Sequence, residues 1–128
     1  MNFEFQNNSP VYLQMADILE SAIVSGTFKP GDRLPSVREL ALQSRTNPNT
    51  VSKALNELER KGLIETRRTS GKFVCLNDEA LKKQRLEIAY GLCAGFLKEM
   101  SSLGFSREES LSLLARGEYV ANADRKPE

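Results

Sequence analysis

The residues with most scope for chemistry lie in one short string, Asn47-Pro48-Asn49-Thr50-Val51-Ser52-Lys53. An Asn amide can pair with the adenine edge, Thr can offer a methyl to thymine or a hydroxyl to phosphate, and Lys can meet a phosphate or a guanine. A plainer reading stands beside each. Asn47 before Pro48 is also a helix cap, and Asn49, Thr50 and Ser52 are also ordinary polar surface. Ser36 and Arg38 mark a second helix start, where Arg38 can anchor a phosphate or reach a base and Ser36 can be a cap alone. A third set, Arg67, Arg68, Ser70, Gly71 and Lys72, forms a basic turn. There a Gly lets the backbone approach a minor groove or its phosphates, unless the turn is simply a solvated hairpin tip.

Other chemistries are excluded by what is missing. The chain has no His, the commonest general base and transition-metal ligand, which removes Ser-His-Asp, Cys-His and His-based zinc sites together. Cys75 and Cys93 cannot make a zinc site by themselves and read as two reduced, buried thiols. There is no paired-carboxylate spacing, phosphate-binding loop or nucleophile elbow, so the expectation is no enzyme, no cofactor and no metal. At 128 residues, 40% hydrophobic and 27% charged, the chain suits one small core with a helical appendage rather than a multi-domain enzyme. The longest apolar or small run, Ile88 to Leu97, is half of the ~20 residues that span a bilayer. Met1 to Asn8 lacks the profile of a secretory signal, and the expectation is a soluble, cytoplasmic protein with no membrane partner. The net charge of +1 says little, but its distribution says more. Between Arg45 and Lys72, seven cations (Arg45, Lys53, Arg60, Lys61, Arg67, Arg68, Lys72) face three carboxylates (Glu57, Glu59, Glu65). Such a concentration is what a nucleic-acid footprint requires, although a charge run is more often a solvated face.

The elements that must position these residues follow from periodicity and capping. Ser9-Pro10 starts a first helix with Val11, Met15, Ile18, Leu19, Ala22 and Ile23 at helical spacing, closed by Gly26. After the turn Lys29-Pro30-Gly31-Asp32 and the extended Leu34-Pro35, the sequence Ser36-Val37-Arg38-Glu39 is a capping box. It opens a short helix from Val37 to Gln43 with Val37, Leu40 and Ala41 inward. Asn47-Pro48 opens a third helix, whose inner face is Val51, Ala54, Leu55 and Leu58 and whose end is Gly62. Leu63 to Arg67 and Lys72 to Cys75 are β-prone runs joined by Arg68-Thr69-Ser70-Gly71, a hairpin. The order helix, helix-turn-helix, hairpin is that of a winged helix. Its core would draw on Leu19, Ile23, Leu34, Leu40, Val51, Leu55, Leu58, Leu63, Ile64, Phe73 and Val74.

The fold class expected is therefore mainly α with a small β-hairpin: a winged helix-turn-helix domain over residues 1–76, followed by a two-helix dimerisation region over residues 77–128. A long helix from about Glu79 to Leu103 carries Leu86, Ala89, Cys93, Phe96, Met100 and Leu103 at three-and-four spacing. Ser106-Arg107-Glu108-Glu109 caps a last helix with Leu111, Leu114 and Tyr119. Two helices cannot bury that stripe alone, so it packs on the winged helix, on a second copy, or on both. The second copy is the favoured partner, since dimerisation gives a DNA reader affinity and half-site spacing. Gly91 and Gly95 form a small-x-x-x-small pair inside the long helix, where each costs ~1 kcal/mol relative to Ala. Close approach across a dimer, a bend at a small pocket, and a locally loose helix all remain open there.

From Pro10 to Val74 the chain resembles the DNA-binding domain of the GntR family of bacterial transcription regulators. The resemblance rests on Pro10-Val11-Tyr12, Ile23 to Gly26, Lys29-Pro30-Gly31-Asp32-Arg33-Leu34-Pro35-Ser36, Val37-Arg38-Glu39-Leu40-Ala41, Asn49-Thr50-Val51, Ala54-Leu55, Leu58-Glu59 and Gly62-Leu63-Ile64. The Asn47-Pro48-Asn49-Thr50-Val51 string and the short tail are similar to the YtrA-type branch, whose small C-terminal region implies dimerisation. By this resemblance Arg38, Asn49, Thr50 and Gly71 match DNA-contacting positions. Many family members carry Arg where this chain has Pro48 and Ser52, so their guanine contacts do not transfer, and the wing is shorter than the common pattern. The implied function is a homodimeric repressor on a two-fold symmetric double-stranded DNA operator. It would be modulated by an unidentified small-molecule effector or only by its own concentration. The alternative is a winged-helix module that binds protein without reading sequence.

Overall fold

Helix α1 (Val11–Val24) begins one residue later than a Ser9 cap would place it. Pro10 itself is the boundary residue, extended at ψ 139°, and its carbonyl accepts from the amides of Leu13 and Gln14. The computed structural model describes residues 1–117. Helix α2 (Val37–Ser44) opens on the expected capping box: the Glu39 amide donates to Ser36 Oγ at 3.1 Å, and the Ser36 amide to Glu39 Oε1 at 3.0 Å. The Ser36 amide, and after it the Ser36 hydroxyl, hold the Glu39 carboxyl below its ordinary value. Arg45 then turns the chain in the left-handed region at φ 55°, and Ser44 Oγ donates to Leu40 O at 2.6 Å, closing the connection to α3 (Pro48–Arg60).

Strands β1 (Ile64–Arg67) and β2 (Gly71–Val74) pair antiparallel, from Ile64 opposite Val74 to Arg67 opposite Gly71. Residues 31–34 run along the free edge of β2. Leu34 donates its amide to Lys72 O, Val74 donates to Asp32 O, and Arg33 bridges Phe73. The hairpin is thereby tied to the segment leading into α2. Helix α4 (Asp78–Ser102) and helix α5 (Arg107–Arg116) complete the described chain, α5 with the predicted capping box between Ser106 and Glu109. Tyr119 lies outside the described residues.

The chain divides into two compact units, Met1–Leu86 and Glu87–Glu128. In the first, α3 packs on α1, α2 and β1, so it is the centre of the core. Leu19, Ile23, Leu34, Leu40, Val51, Leu55, Leu58, Leu63, Ile64 and Val74 are buried as expected, joined by Met15 and Leu81. Phe73 is a correction. It is only half-buried, because its ring carries the Arg67 guanidinium at 4.2 Å and belongs to the outer side of the wing. The burial of Leu81 places the first turns of α4 in the winged-helix unit, ten residues beyond the expected boundary at 76.

In the second unit α4 and α5 enclose an apolar groove of about 380 Å³ lined by Tyr90, Cys93, Phe96, Leu97, Leu111 and Leu114. Leu86, Ala89, Cys93, Leu103, Leu111 and Leu114 are exposed and Phe96 and Met100 half-buried, so the described residues of one chain do not cover the predicted stripe. The expectation of two buried thiols fails here. Cys93 opens onto this groove and is exposed, and Cys75 is half-buried. Among the described residues, added Cβ atoms at Gly91 and Gly95 would meet nothing within 4 Å, so packing against those residues requires neither glycine.

Because Leu55 is fully buried where α3 meets its neighbours, Leu55→Ala should lower the free energy of unfolding by ~2 to 5 kcal/mol, read from urea denaturation followed by circular dichroism. A loss under ~1 kcal/mol would mean that α3 is not the packing centre.

Candidate nucleic-acid interface

The burial of Val51, Ala54, Leu55 and Leu58 fixes which way α3 faces, and the opposite side of its first turns is left to solvent. Asn49 and Lys53 are exposed there, and Thr50 and Ser52 are half-buried. Asn47 is the cap: its side-chain oxygen accepts from the Asn49 amide at 2.8 Å. That oxygen is committed to the fold, which leaves the Asn47 side-chain nitrogen for an outside partner. Pro48 at the first helical position removes one amide that the helix could not have satisfied. The Lys53 ammonium lies 5.8 Å from the centre of the Tyr12 ring. Tyr12, at the start of α1, therefore sets where that cation stands, a role that sequence spacing did not reveal.

At the start of α2, Ser36 spends its hydroxyl and its amide on the capping box, so the structure supports the cap reading of this residue directly. Arg38, one residue into the helix, is exposed and has no carboxylate partner among the described residues. Arg33 was also missed. It lies near enough to Glu39 to help hold that carboxyl low, and its guanidinium approaches the wing at Gly71. The signal available was its place immediately before the buried Leu34, on the edge that pairs with β2.

The wing is built from its own internal contacts. Its tip is Arg68-Thr69-Ser70, with Thr69 at φ 65° and the Ser70 amide donating to Arg67 O at 3.1 Å. Gly71 has φ 113°, and a methyl group there would stand 3.2 Å from Arg33 Nε, so glycine is demanded by the wing itself. Lys72 Nζ donates to Glu59 Oε1 at 2.9 Å and to Thr66 Oγ1 at 2.7 Å, and pins the wing to the far half of α3. Arg67 pairs with Glu65 at 3.1 Å while stacking on Phe73. Of the seven cations between Arg45 and Lys72, Arg60, Lys61, Arg67 and Lys72 have carboxylate partners. Arg45, Lys53 and Arg68 have none among the described residues, and with Arg33 and Arg38 they supply the field that remains for a polyanion.

A helix start that is capped, exposed and polar, carried on a helix-turn-helix beside a basic hairpin, defines the winged helix-turn-helix class of DNA-binding proteins. Residues 11–74 match the bacterial regulatory proteins of the gntR family, and the chain belongs to that family. Over 111 residues it is 40% identical to YhcF, an uncharacterized HTH-type transcriptional regulator of Bacillus subtilis (strain 168), covering 87% of this chain and 92% of YhcF. The HTH-type transcriptional repressor YtrA of the same organism is 49% identical over 72 residues, 56% of this chain and 55% of YtrA. A GntR family transcriptional regulator from Listeria monocytogenes superposes with a TM-score of 0.82 at 35% identity, over 88% of this chain and 98% of that one. AraR(DBD) in complex with operator ORX1 matches with a TM-score of 0.55 at 28% identity, over 59% of this chain and 96% of its own.

The Glu59 carboxyl is held below its ordinary 4.5, first by the hydrogen bond from Lys72 and then by that from Thr66. A carboxyl lowered in the folded state contributes its stabilisation fully above the unfolded value, and the contribution is lost as pH falls through the folded one. Lys72→Met should therefore lower the urea midpoint at neutral pH, with the deficit closing as the pH drops below 4.5. A deficit independent of pH would show that Lys72 acts by packing alone.

Proposed function

We propose that this GntR-family regulator acts as a homodimeric repressor on a two-fold symmetric DNA operator, each copy reading one half-site with the first turns of α3 and touching the flanking backbone with the wing. One observation carries the reading: Asn49 and Lys53 stand exposed at a helix start whose cap is already satisfied, so their donors and acceptors are free for a partner. Asn49 is assigned to a base edge, with Thr50 and Ser52 beside it. Lys53, Arg38 and Arg68 are assigned to phosphates. Asn47, Ser36, Arg67, Gly71 and Lys72 serve chiefly to shape the surface, since each is engaged within the fold. The repressor assignment is supported by the likeness to YtrA, a transcriptional repressor, and the operator by the DNA-bound AraR domain. A chromosomal operator would place the protein in the cytoplasm, in keeping with the absence among the described residues of any helix long and apolar enough to cross a membrane.

Pairing of two copies is supported by the exposed stripe on α4 and α5. The groove between these helices is rimmed by exposed Tyr90, Leu111 and Leu114, and side chains of a second copy fit it better than a polar small molecule would.

Binding is tested by titrating the full chain with duplexes recovered from a random pool, over a salt series. Operator affinity should exceed that for scrambled duplex by ~10³ or more and fall steeply with salt. Arg38→Ala should weaken binding to both duplexes. Asn49→Ala should cost ~1 to 3 kcal/mol on the operator and little on scrambled DNA; equal losses would reassign Asn49 to the backbone. Equal affinity for both duplexes by the wild-type chain would instead favour the protein-binding module.

Dimerisation is tested at Gly91 and Gly95. Alanine fits both positions within one chain and favours the helix by ~1 kcal/mol each. Loss of dimer in sedimentation, with a melting temperature that no longer rises with protein concentration, is the expected result for Gly91→Ala/Gly95→Ala. An unchanged dimer would remove these glycines from the interface.

A further inference from the structure

Among the described residues, two other than glycine take the left-handed conformation, Arg45 at φ 55° and Thr69 at φ 65°. A Cβ atom makes that region unfavourable, which is why glycine or asparagine usually stands where a helix ends in this way. Thr69 lies in the wing tip, and its hydroxyl donates to Arg68 O. Arg45 makes no comparable contact. It is exposed, and its guanidinium meets no carboxylate or aromatic ring among the described residues.

The turn that holds Arg45 does not call for an arginine. Ala41 O accepts from the amides of Arg45 and Thr46, Ser44 Oγ donates to Leu40 O at 2.6 Å, and the Thr46 hydroxyl stands 2.7 Å from Ser44 Oγ. Backbone atoms and the side chains of Ser44 and Thr46 make all of these bonds, so they would close in the same way around a glycine. Leu40 and Ala41 are buried before the turn and Val51 after it, so both ends are fixed and residue 45 is kept left-handed. A cation at the carbonyl end of α2 is weakly attracted there, and salt screens that attraction. The fold therefore imposes strain on a side chain for which it has little use of its own.

We propose that Arg45 is a further operator-binding residue, which contacts a backbone phosphate beside the start of α3. This rests on the DNA-binding reading given above, which assigns phosphates to Arg38, Lys53 and Arg68 alone. Arg45 stands two residues before the Asn47 cap, so its Cα lies within ~7 Å of the helix start. A helix start seated in the major groove has a phosphate strand on each side, and residues just outside the helix meet it. Arg38 lies in the first turn of α2 and Arg45 closes that helix, so the strand passing α2 would be held at both of its ends.

The test compares the full chain as wild type, Arg45→Gly, Arg45→Asn and Arg45→Lys, at one protein concentration. Glycine and asparagine suit the left-handed region, so both variants should melt ~2 to 5 °C above wild type in ~0.5 M salt, where the attraction to α2 is screened. Arg45→Lys should melt with wild type. On DNA the order should reverse. With duplexes recovered from a random pool and with scrambled ones alike, Arg45→Gly and Arg45→Asn should bind ~5-fold or more weakly, and the slope of log affinity against log salt should flatten by about one unit. Arg45→Lys should stay within ~2-fold. A glycine variant with wild-type affinity and slope, or a lysine variant that loses as much as glycine, overturns the proposal. A loss confined to the glycine variant belongs to a loosened turn and overturns it too, as does a glycine variant that melts below wild type, since the arginine would then serve the fold. A wild type that binds neither duplex sinks the DNA-binding reading itself, whereas variants that match a salt-sensitive wild type sink only Arg45.

Discussion

Everything in the winged-helix unit depends on one constraint, that α3 be buried along one side and open along the other. Val51, Ala54, Leu55 and Leu58 meet α1, α2 and β1, and this packing sets the rotation of α3 to within the tolerance of a close-packed core. The polar side of the same helix then has no freedom to turn inward. Asn49 and Lys53 face water because the residues two to five positions away cannot. The interface is thus specified by the core beneath it.

Electrostatics refine that surface more than composition suggests. A run of seven cations invites the picture of a uniformly basic face, yet four of them are answered by Glu57, Glu20, Glu65 and Glu59. Apart from the pair made by the buried Glu20, these are solvent-facing pairs, which add little stability one at a time. Their larger effect is to fix shape: Lys72 fastens the wing to α3, and Arg67 lies over Phe73. The three left over, Arg45 at the turn, Lys53 on α3 and Arg68 at the wing tip, stand with Arg38 of α2 on separate elements. Charge distributed in that way suits a curved polyanion that crosses several elements at once.

Much of this was legible in the sequence where the physics is local. Both capping boxes, the Asn47-Pro48 helix start and the hairpin depend on residues within a few positions of each other, and all four stand as read. What escaped depends on distant partners. Phe73 is the exception, a local misreading: it is adjacent to the buried Val74, so strand alternation turns its ring to the outer face, where Arg67 covers it. Leu81 looks like the first apolar residue of a separate region, and only its burial shows which unit owns it. Tyr12 and Arg33 carry no local signature, since their roles arise from Lys53 forty-one residues away and from Gly71 across the wing. Cys93 was misread because helical periodicity reports a face without saying what covers it.

That last point bears on the second unit as a whole. Among its described residues only Ser110 is buried, while Leu92 and Leu103 are each 72% exposed and Leu114 61%. A folded helix pair with so little interior gains almost nothing from the hydrophobic effect, at ~25 cal/mol per Å² of apolar surface removed from water. Its last helix is nonetheless well specified, by the Ser106 capping box and by Glu108 and Glu109 in its first turn. Local design is complete and tertiary burial is missing, which is the combination expected of an element that finishes its core only on association. Under the proposed pairing, the tail would therefore couple stability to concentration, and occupancy of both half-sites would follow from the same apolar contact that completes the fold.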